Sequence, residues 1–337
     1  MDWEELSFLL LAEAAFFLAV FVQMVLHETG HLLAGLLSGY RFVSFRIGSL
    51  ILVKGKNGFY LTRFSLPGTG GQCLLRPPAY VKKEIGFPVF WYNLGGVIAN
   101  VVVSGIGIAL LCSSTTKFFF VFGICLAGCG FLLILTNGIP LKLGGISNDG
   151  YNALSLKKDP EALYGFWLQL EVNARQTMGE RLRDMQEEWF YLPERERLSN
   201  PLTAATGMLY FQYLRDCGRY EESADVAEQL LEKEAGLLPI YQNELLCEQL
   251  FDELIGTCRP ERIRAMCSKP LQAYRKQTKR YLSRLRLSYA YDLLYEKDEK
   301  KAEQDLEQFQ KRAAKSPVPG EVPGEWEAIR RVKGTTV

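Results

Sequence analysis

Three long apolar stretches dominate the first 150 residues of the chain. They run from about residue 6 to 37, from 93 to 112 and from 118 to 139. Each is long enough to cross the apolar interior of a bilayer as a helix, which takes about 20 residues. Buried helices of soluble proteins rarely supply three such stretches in so short a sequence. The pattern therefore predicts three membrane-spanning helices.

The segment between the first two stretches, about residues 41–88, has a different pattern. It is rich in β-branched and aromatic residues, in "RFVSFRIGSLILV" and "GFYLTRFSLPGTGG", with turn residues between these two runs. This composition is typical of a hairpin or a small sheet. We expect it to lie near the membrane surface, because a membrane span precedes and follows it.

The second half of the chain shows amphipathic helical periodicity from about Tyr151. Two segments, Gly207–Gly236 and Arg284–Pro317, resemble tetratricopeptide repeats, with turns at Cys217–Tyr220 and near Lys297. Two such helix pairs favour a small α-solenoid. From Ser316 the sequence is rich in proline and glycine, which is typical of a disordered tail.

These patterns together predict a mainly α, polytopic membrane protein in three parts. Residues 1–150 form a three-helix transmembrane core that carries a small membrane-associated β-hairpin or sheet. Residues 151–315 form the helical domain, and residues 316–337 form the tail.

Charge distribution predicts the orientation of these parts. The net charge is only +1, from 39 basic and 38 acidic residues, so nothing favours binding to nucleic acid. The loop between the first two spans holds eight basic residues and the single acid Glu84. Short basic loops stay in the cytoplasm. We therefore expect the N-terminus outside and the helical domain in the cytoplasm.

The compartment is predicted from what the sequence lacks. Its N-terminus has neither the basic start nor the small-residue cleavage site of a secretory signal. None of the eight cysteines forms a CxxC pair, so free thiols in a reducing compartment are expected. We expect a multi-pass protein of a bacterial cytoplasmic membrane.

The only two histidines of the chain lie in the first apolar stretch, in "HETGH". His27 and His31 are four residues apart, so a helix places both on one face, where they can bind one metal ion. Glu28 stands on the flank of that face. Two histidines and a glutamate at this spacing predict a zinc site in which the metal activates water and Glu28 is the general base.

A catalytic zinc site needs a third protein ligand, and the sequence offers no further histidine. Asp149 follows the third span and is expected on the same side of the membrane as the histidines. We predict Asp149 as the third ligand. Glu84 and Asn148 remain alternatives.

At this point the chain resembles the site-2 protease family of intramembrane zinc metalloproteases. The resemblance rests on "HETGH", on Asn137, Pro140 and Asp149-Gly150 near the third span, on "GGVIAN" in the second span, and on "SLPGTGG", residues 65–71. It covers about residues 8–155. Two departures stand out: Val97 replaces a proline of the family, and the distance from Pro140 to Asp149 is longer than usual.

The resemblance implies roles for individual residues. His27, His31 and Asp149 would bind Zn²⁺, and Glu28 would be the catalytic base. Asn100 would line the substrate groove and steady the substrate, and Asn137 and Asn148 are further candidates for binding the substrate or supporting the transition state. Gln23, one helical turn before His27, is a candidate to line the site.

The sequence thus predicts a zinc metalloendopeptidase that cleaves a membrane-anchored protein or peptide in or near its transmembrane segment. A strand edge around Ile51 and Val53 would hold the unwound substrate, and the helical repeats could recruit an adaptor. Two alternatives remain open: a membrane-anchored zinc peptidase acting on soluble peptides, with Glu84 as ligand, and a non-catalytic scaffold that binds partners through the repeats.

Overall fold

The computed structural model of the chain describes residues 3–64, 69–80, 87–143, 146–232 and 237–335. The described residues form two compact units. One comprises the residues up to Val53 together with Arg63–Trp167, and the other comprises Lys54–Thr62 together with the residues from Leu168 onward. Mostly helical structure and a small antiparallel sheet agree with the predicted fold class.

Three helices of the first unit are long and apolar enough to cross a membrane. They are α1 (Trp3–Leu37), α2 (Phe90–Ser113) and α3 (Lys117–Gly138). Each lies where an apolar stretch of the sequence predicts a span. α1 begins three residues before its stretch, and its first turn carries Glu4 and Glu5, which suit the positive end of a helix dipole.

These three apolar helices pack closely because glycines face each other where they cross. A side chain at Gly30 of α1 would come within 2.1 Å of the carbonyl oxygen of Gly95 in α2. Gly107 of α2 and Gly123 of α3 approach each other in the same way. Small residues allow this contact between membrane helices, where no hydrophobic effect drives association.

A four-stranded antiparallel sheet follows α1. Its strands are β1 (Arg41–Ile47), β2 (Leu50–Gly55), β3 (Gly58–Arg63) and β4 (Gly71–Arg76), in the order β3-β2-β1-β4. The expected strand edge at Ile51 and Val53 is wrong, since β2 lies inside the sheet and both side chains are buried. β4 is an edge strand among the described residues.

The chain between α3 and the helical unit folds into three short elements. β5 (Lys142–Leu143) and β6 (Ile146–Ser147) pair antiparallel, and α4 (Asp149–Ser155) follows. The backbone N–H of Asn148 donates to the carbonyl of Leu141 and closes this hairpin. The extra residues between Pro140 and Asp149 are therefore taken up by the hairpin, which returns the chain to the end of α3.

Nine helices, α5–α13, account for most of the chain after Asp159 in its described part. They are α5 (Pro160–Thr177), α6 (Pro201–Asp216), α7 (Tyr220–Leu231), α8 (Pro239–Ile255), α9 (Pro260–Met266), α10 (Lys269–Gln277), α11 (Leu282–Ala290), α12 (Glu299–Ala313) and α13 (Val322–Gly334). Tyr291–Tyr295 extends α11 as a π-helical turn. The pairs α6–α7 and α11–α12 lie where the sequence shows repeat-like segments, and their stacking into a solenoid stays a prediction.

The predicted disordered tail is wrong for its described residues, 316–335. α13 lies here, with Ile329 and Val332 buried in the same core as Phe309. Trp326 packs edge-on against Phe309, with ring centroids 4.9 Å apart. Three apolar residues at helical spacing bury enough surface to order a segment whose proline and glycine content alone indicates disorder.

Candidate metal centre

Three side chains from two elements of the first unit converge on one point. His27 and His31 project from α1, and their Nε2 atoms are 3.1 Å apart. Asp149, the first residue of α4, places Oδ2 3.2 Å from Nε2 of His27 and 3.4 Å from Nε2 of His31. All three side chains are largely buried. The sequence prediction thus names the residues that the fold brings together.

The second nitrogen of each imidazole has a partner that fixes its protonation. Nδ1 of His31 lies 2.8 Å from the carbonyl oxygen of Tyr92, which can only accept. Nδ1 of His27 lies 2.6 Å from Oδ1 of Asn100. Both histidines therefore donate from Nδ1 and turn the lone pair of Nε2 towards Asp149, as is usual for metal-binding histidines.

These residues fit a zinc ion. Zinc binds histidine nitrogen and carboxylate oxygen at about 2.0–2.2 Å in tetrahedral geometry, so two ligand atoms are roughly 3.3 Å apart. The three measured separations between Nε2, Nε2 and Oδ2 are close to that value. A side chain at Gly96 would come within 2.6 Å of both imidazoles, so glycine at this position keeps the centre open.

Asp149 is held in place by its neighbour Asn148, which caps the N-terminus of α4. Asn148 Oδ1 accepts from the backbone N–H groups of Leu141 and Tyr151, and its Nδ2 donates to the carbonyls of Thr136 and Ile139. Burial acts to raise the pKa of the Asp149 carboxyl, but the two histidines beside it outweigh burial when they are protonated and keep that pKa well below its usual range. Asp149 is therefore a carboxylate at neutral pH.

Glu28 lies beside the edge strand β4. The backbone N–H of Cys73 in β4 lies close to its carboxylate. A side chain at Gly71 would come within 2.7 Å of Glu28 Oε1. Burial, and then the charge of Glu28, raise the pKa of the Cys73 thiol, which stays protonated at neutral pH. The site thus pairs three potential metal ligands with one carboxylate beside the sheet.

The family to which the chain belongs is identified by comparison with sequence models of known families. The model of Peptidase family M50 matches residues 15–308. The chain belongs to peptidase family M50. This is the site-2 protease family of intramembrane metalloproteases, so the resemblance seen in the sequence is confirmed. Neither the curated proteins nor the solved structures gave a match.

Membership of family M50 and three apolar helices agree with a membrane protein. The match to the M50 model extends to residue 308, far beyond the residues that carry the resemblance in the sequence. The tetratricopeptide-like character of that later part stays a prediction. Glu84, the alternative ligand, lies outside the described residues. Ser65–Gly68, which is part of the segment 65–71 that resembles family M50, also lies outside them.

The other residues that the sequence of this M50 chain singles out lie at different distances from the histidines. Asn100 contacts His27 directly. Asn148 positions α4 and bonds main-chain groups. Asn137 lies in the last turn of α3, where its carbonyl oxygen packs near Gly150. Val97, which replaces the proline of the family, lies within a continuous α2.

Sequence reasoning missed several partners in this M50 site. The carbonyl of Tyr92 and the N–H of Cys73 are main-chain groups, which leave no trace in residue identity. The Tyr92 hydroxyl donates to the carbonyl of Cys73, which ties α2 to β4. Gln23 was not missed, because a polar side chain inside an apolar stretch is costly and marks a candidate residue in the sequence itself.

Proposed function

We propose that the chain is an intramembrane zinc metalloendopeptidase that cleaves a membrane-anchored protein or peptide within or near its transmembrane segment. One observation carries the proposal. His27, His31 and Asp149 converge from separate elements among three apolar helices, with Glu28 alongside. Family M50 supports a protease of this kind.

His27, His31 and Asp149 would hold the zinc ion. When bound, zinc supplies a Lewis acid that polarises the peptide carbonyl and makes water a stronger nucleophile at neutral pH. The Nδ1 donors of the histidines and the cap at Asn148 orient the ligands before the metal arrives. Such preorganisation favours metal binding, because the ligands lose little freedom.

Glu28 would move the proton. As water attacks the peptide carbonyl, the Glu28 carboxylate accepts a proton from it and then delivers this proton to the nitrogen of the leaving amine. Gly71 and the backbone N–H of Cys73 lie next to this carboxylate, on the side of the β4 strand. Water and leaving group must therefore meet at that side of the histidines.

β4 would receive the substrate. A membrane helix resists cleavage because its carbonyls are hydrogen-bonded, so the substrate must first unwind. An extended peptide can then add to an exposed strand edge through main-chain hydrogen bonds. β4 is an edge strand among the described residues and passes next to Glu28. This contact would bring the unwound segment to the base.

The site would act near the cytoplasmic side of the membrane. α3 ends at Gly138, and Asp149 stands at the start of α4. This order would put the centre towards the membrane surface at which α1 and α3 end. The basic residues of the sheet favour the cytoplasm for this surface. An adaptor or the soluble part of a substrate would bind the helical unit on the same side.

Zinc stoichiometry of the purified protein in detergent tests the proposed centre. We expect about one zinc per chain in the wild type and much less in His27→Ala and Asp149→Ala. Zinc retained by Asp149→Ala but lost by His27→Ala would move the third ligand to another residue, with Glu84 the next to test. Absence of zinc from the wild type would favour a membrane scaffold.

Cleavage in detergent tests the substrate class. A peptide that contains a transmembrane segment is compared with a soluble peptide of the same sequence around the cleavage site. We expect cleavage of the transmembrane peptide only. Equal cleavage of both would instead favour a membrane-anchored peptidase of soluble peptides.

A further inference from the structure

A line of buried polar side chains crosses the three spanning helices behind the metal centre. Gln23 of α1 and Asn100 of α2 are fully buried, and Ser104 of α2 is 8% exposed. Gln23 donates from Nε2 to the carbonyl of Leu126 in α3 over 2.8 Å. Asn100 donates from Nδ2 to Gln23 Oε1 over 2.7 Å. The line ends at His27, 2.6 Å from Asn100 Oδ1.

Two main-chain carbonyls determine which way each amide of this line faces. The Leu126 carbonyl only accepts, so the Gln23 amide must present its N–H group to Leu126 and its oxygen to Asn100. The carbonyl of Gln23 also accepts from Asn100 Nδ2, over 3.2 Å. Asn100 is therefore left with its oxygen towards His27, which must donate from Nδ1. A flipped amide would lose these bonds.

The surrounding helices leave space for this arrangement. A side chain at Gly130 of α3 would come within 2.2 Å of Gln23 Nε2 and within 2.0 Å of Ser104 Oγ. Ser104 Oγ donates to the Asn100 carbonyl over 2.7 Å, and it lies 3.5 Å from Gln23 Nε2. The amide of Gln23 is thus enclosed on the side of α3 and directed towards Asn100.

We propose that Gln23 is a positioning residue of the metal centre, which fixes the amide of Asn100 and through it holds the His27 ring with Nε2 towards the metal. The inference rests on the proposed function, since it assumes that His27 binds zinc. It goes beyond that function in assigning a role to a side chain that touches neither metal nor substrate.

A different role for Gln23 would be to hold the helices together. Polar side chains between membrane helices do so through hydrogen bonds. Such a role lowers the stability of a variant without singling out His27. The two roles differ in whether the effect of Gln23 on zinc binding passes through Asn100.

The experiment is a double-mutant cycle on zinc affinity, measured by chelator competition in detergent on the full chain. The variants are Gln23→Met, which keeps the size but removes the amide, Asn100→Leu, and the double variant. Ser104→Ala is the matched control, because it removes a hydroxyl from the same buried line and leaves the bond between Gln23 and Asn100. The melting temperature of each zinc-free protein is measured in parallel.

We expect zinc to bind about tenfold more weakly to Gln23→Met, at the lower end of the effect of partners of metal-binding histidines. The double variant should bind zinc as weakly as Asn100→Leu alone, and Ser104→Ala should bind like the wild type. Unchanged affinity in Gln23→Met, or effects that multiply in the double variant, would overturn the inference while leaving the proposed function intact. Wild type that binds no zinc would overturn both.

A second pair of variants covers the case in which Gln23→Met does not fold. Gly130→Ala pushes on Gln23 from α3, whereas a methyl group at Gly128 of the same helix meets nothing within 4 Å. We expect weaker zinc binding in Gly130→Ala and none of this effect in Gly128→Ala. Equal zinc affinity of the two variants would contradict the role of Gln23.

Discussion

At the scale of the residue, the proposed role of Glu28 can be separated from that of the histidines beside it. Glu28→Gln keeps the size of the side chain but cannot accept a proton. We expect the variant to retain zinc and to lose peptide cleavage by about 10²–10⁴-fold, the usual contribution of a general base. Zinc content and the rate of cleavage of the transmembrane peptide are measured on the same preparation.

Glu4→Gln, in the first turn of α1, is the matched control and should cleave like the wild type, because it makes the same chemical change far along the helix. Full cleavage by Glu28→Gln would show that the proton moves through another group. Loss of zinc from this variant would mean that Glu28 belongs to the ligand set.

A second prediction at this scale concerns pH. Burial, and then a hydrogen bond and charge repulsion from Asp292, raise the pKa of Asp305 to about 7, although Lys301 and Arg275 act to lower it. Asp292 is itself buried and paired with Lys301. A carboxyl with a raised folded pKa stabilises the fold below its unfolded pKa, and this stabilisation is lost as pH rises through the folded value.

The contribution of Asp305 to the stability of the helical unit should therefore be lost as pH rises from about 4 to about 7. Asp305→Asn keeps the hydrogen bond without the titration, so this loss should be absent from its pH profile. Glu307→Gln, on the same helix but exposed, serves as the control. Heat denaturation followed by circular dichroism makes the comparison, and identical pH profiles for Asp305→Asn and the wild type would contradict it.

Local spacing made part of the site predictable at the residue scale. The four-residue spacing of His27 and His31 on one helix face, with Glu28 beside them, was enough to predict these three residues as site candidates. The order of the apolar stretches was enough to predict Asp149. The bond between Asn100 and His27 joins side chains 73 positions apart. Such contacts depend on how helices pack, which no local pattern encodes.

At the scale of elements, the crossing of α1 and α2 sets the distance between the histidines and Gly96. Gly30→Ala would place a methyl group 2.1 Å from the Gly95 carbonyl oxygen and force the two helices apart. We expect lower thermal stability, by about 1–3 kcal/mol, and weaker zinc binding. Gly105→Ala is the control, because a methyl group there meets nothing within 4 Å. Equal behaviour of the two variants would exclude the crossing as a determinant.

The junction of α3 and α4 is a second element on which the site depends. Asn148→Ala removes four hydrogen bonds, two of them to the last turn of α3 and the residue after it, so α4 would no longer hold Asp149 against the histidines. We expect about tenfold weaker zinc binding. Asn243→Ala, which removes one bond in α8, should bind zinc normally. Chelator competition measures both, and normal binding by Asn148→Ala would contradict the role of the cap.

Elements were predicted well where a single period or composition dominates over 20 residues, as in the three spans. The small sheet was also predicted, but its strand order and the last helix were not. β2 proved to be an inner strand, because strand order depends on which neighbours pair. α13 is ordered although prolines and glycines surround it, because Gly320 donates to the carbonyl of Gln176 and Ile329 is buried.

At the scale of the molecule, the distribution of charge predicts how the chain lies in the membrane. From Arg41 to Arg76 the sequence contains six basic residues and no acid. The turn between α2 and α3, around Ser114, contains no acid and only Lys117 at its end. The positive-inside bias therefore predicts that the sheet lies in the cytoplasm and that this turn lies outside.

Orientation is tested with a green fluorescent protein, which becomes fluorescent in the cytoplasm but not after export through the general secretion route. Fused after the last residue, it should fluoresce; fused at the N-terminus, it should stay dark. The reverse pattern would place the sheet outside and the N-terminus inside. It would also move the cleavage site of the substrate to the outer surface, because α1 and α3 carry the metal centre towards the same end as the sheet.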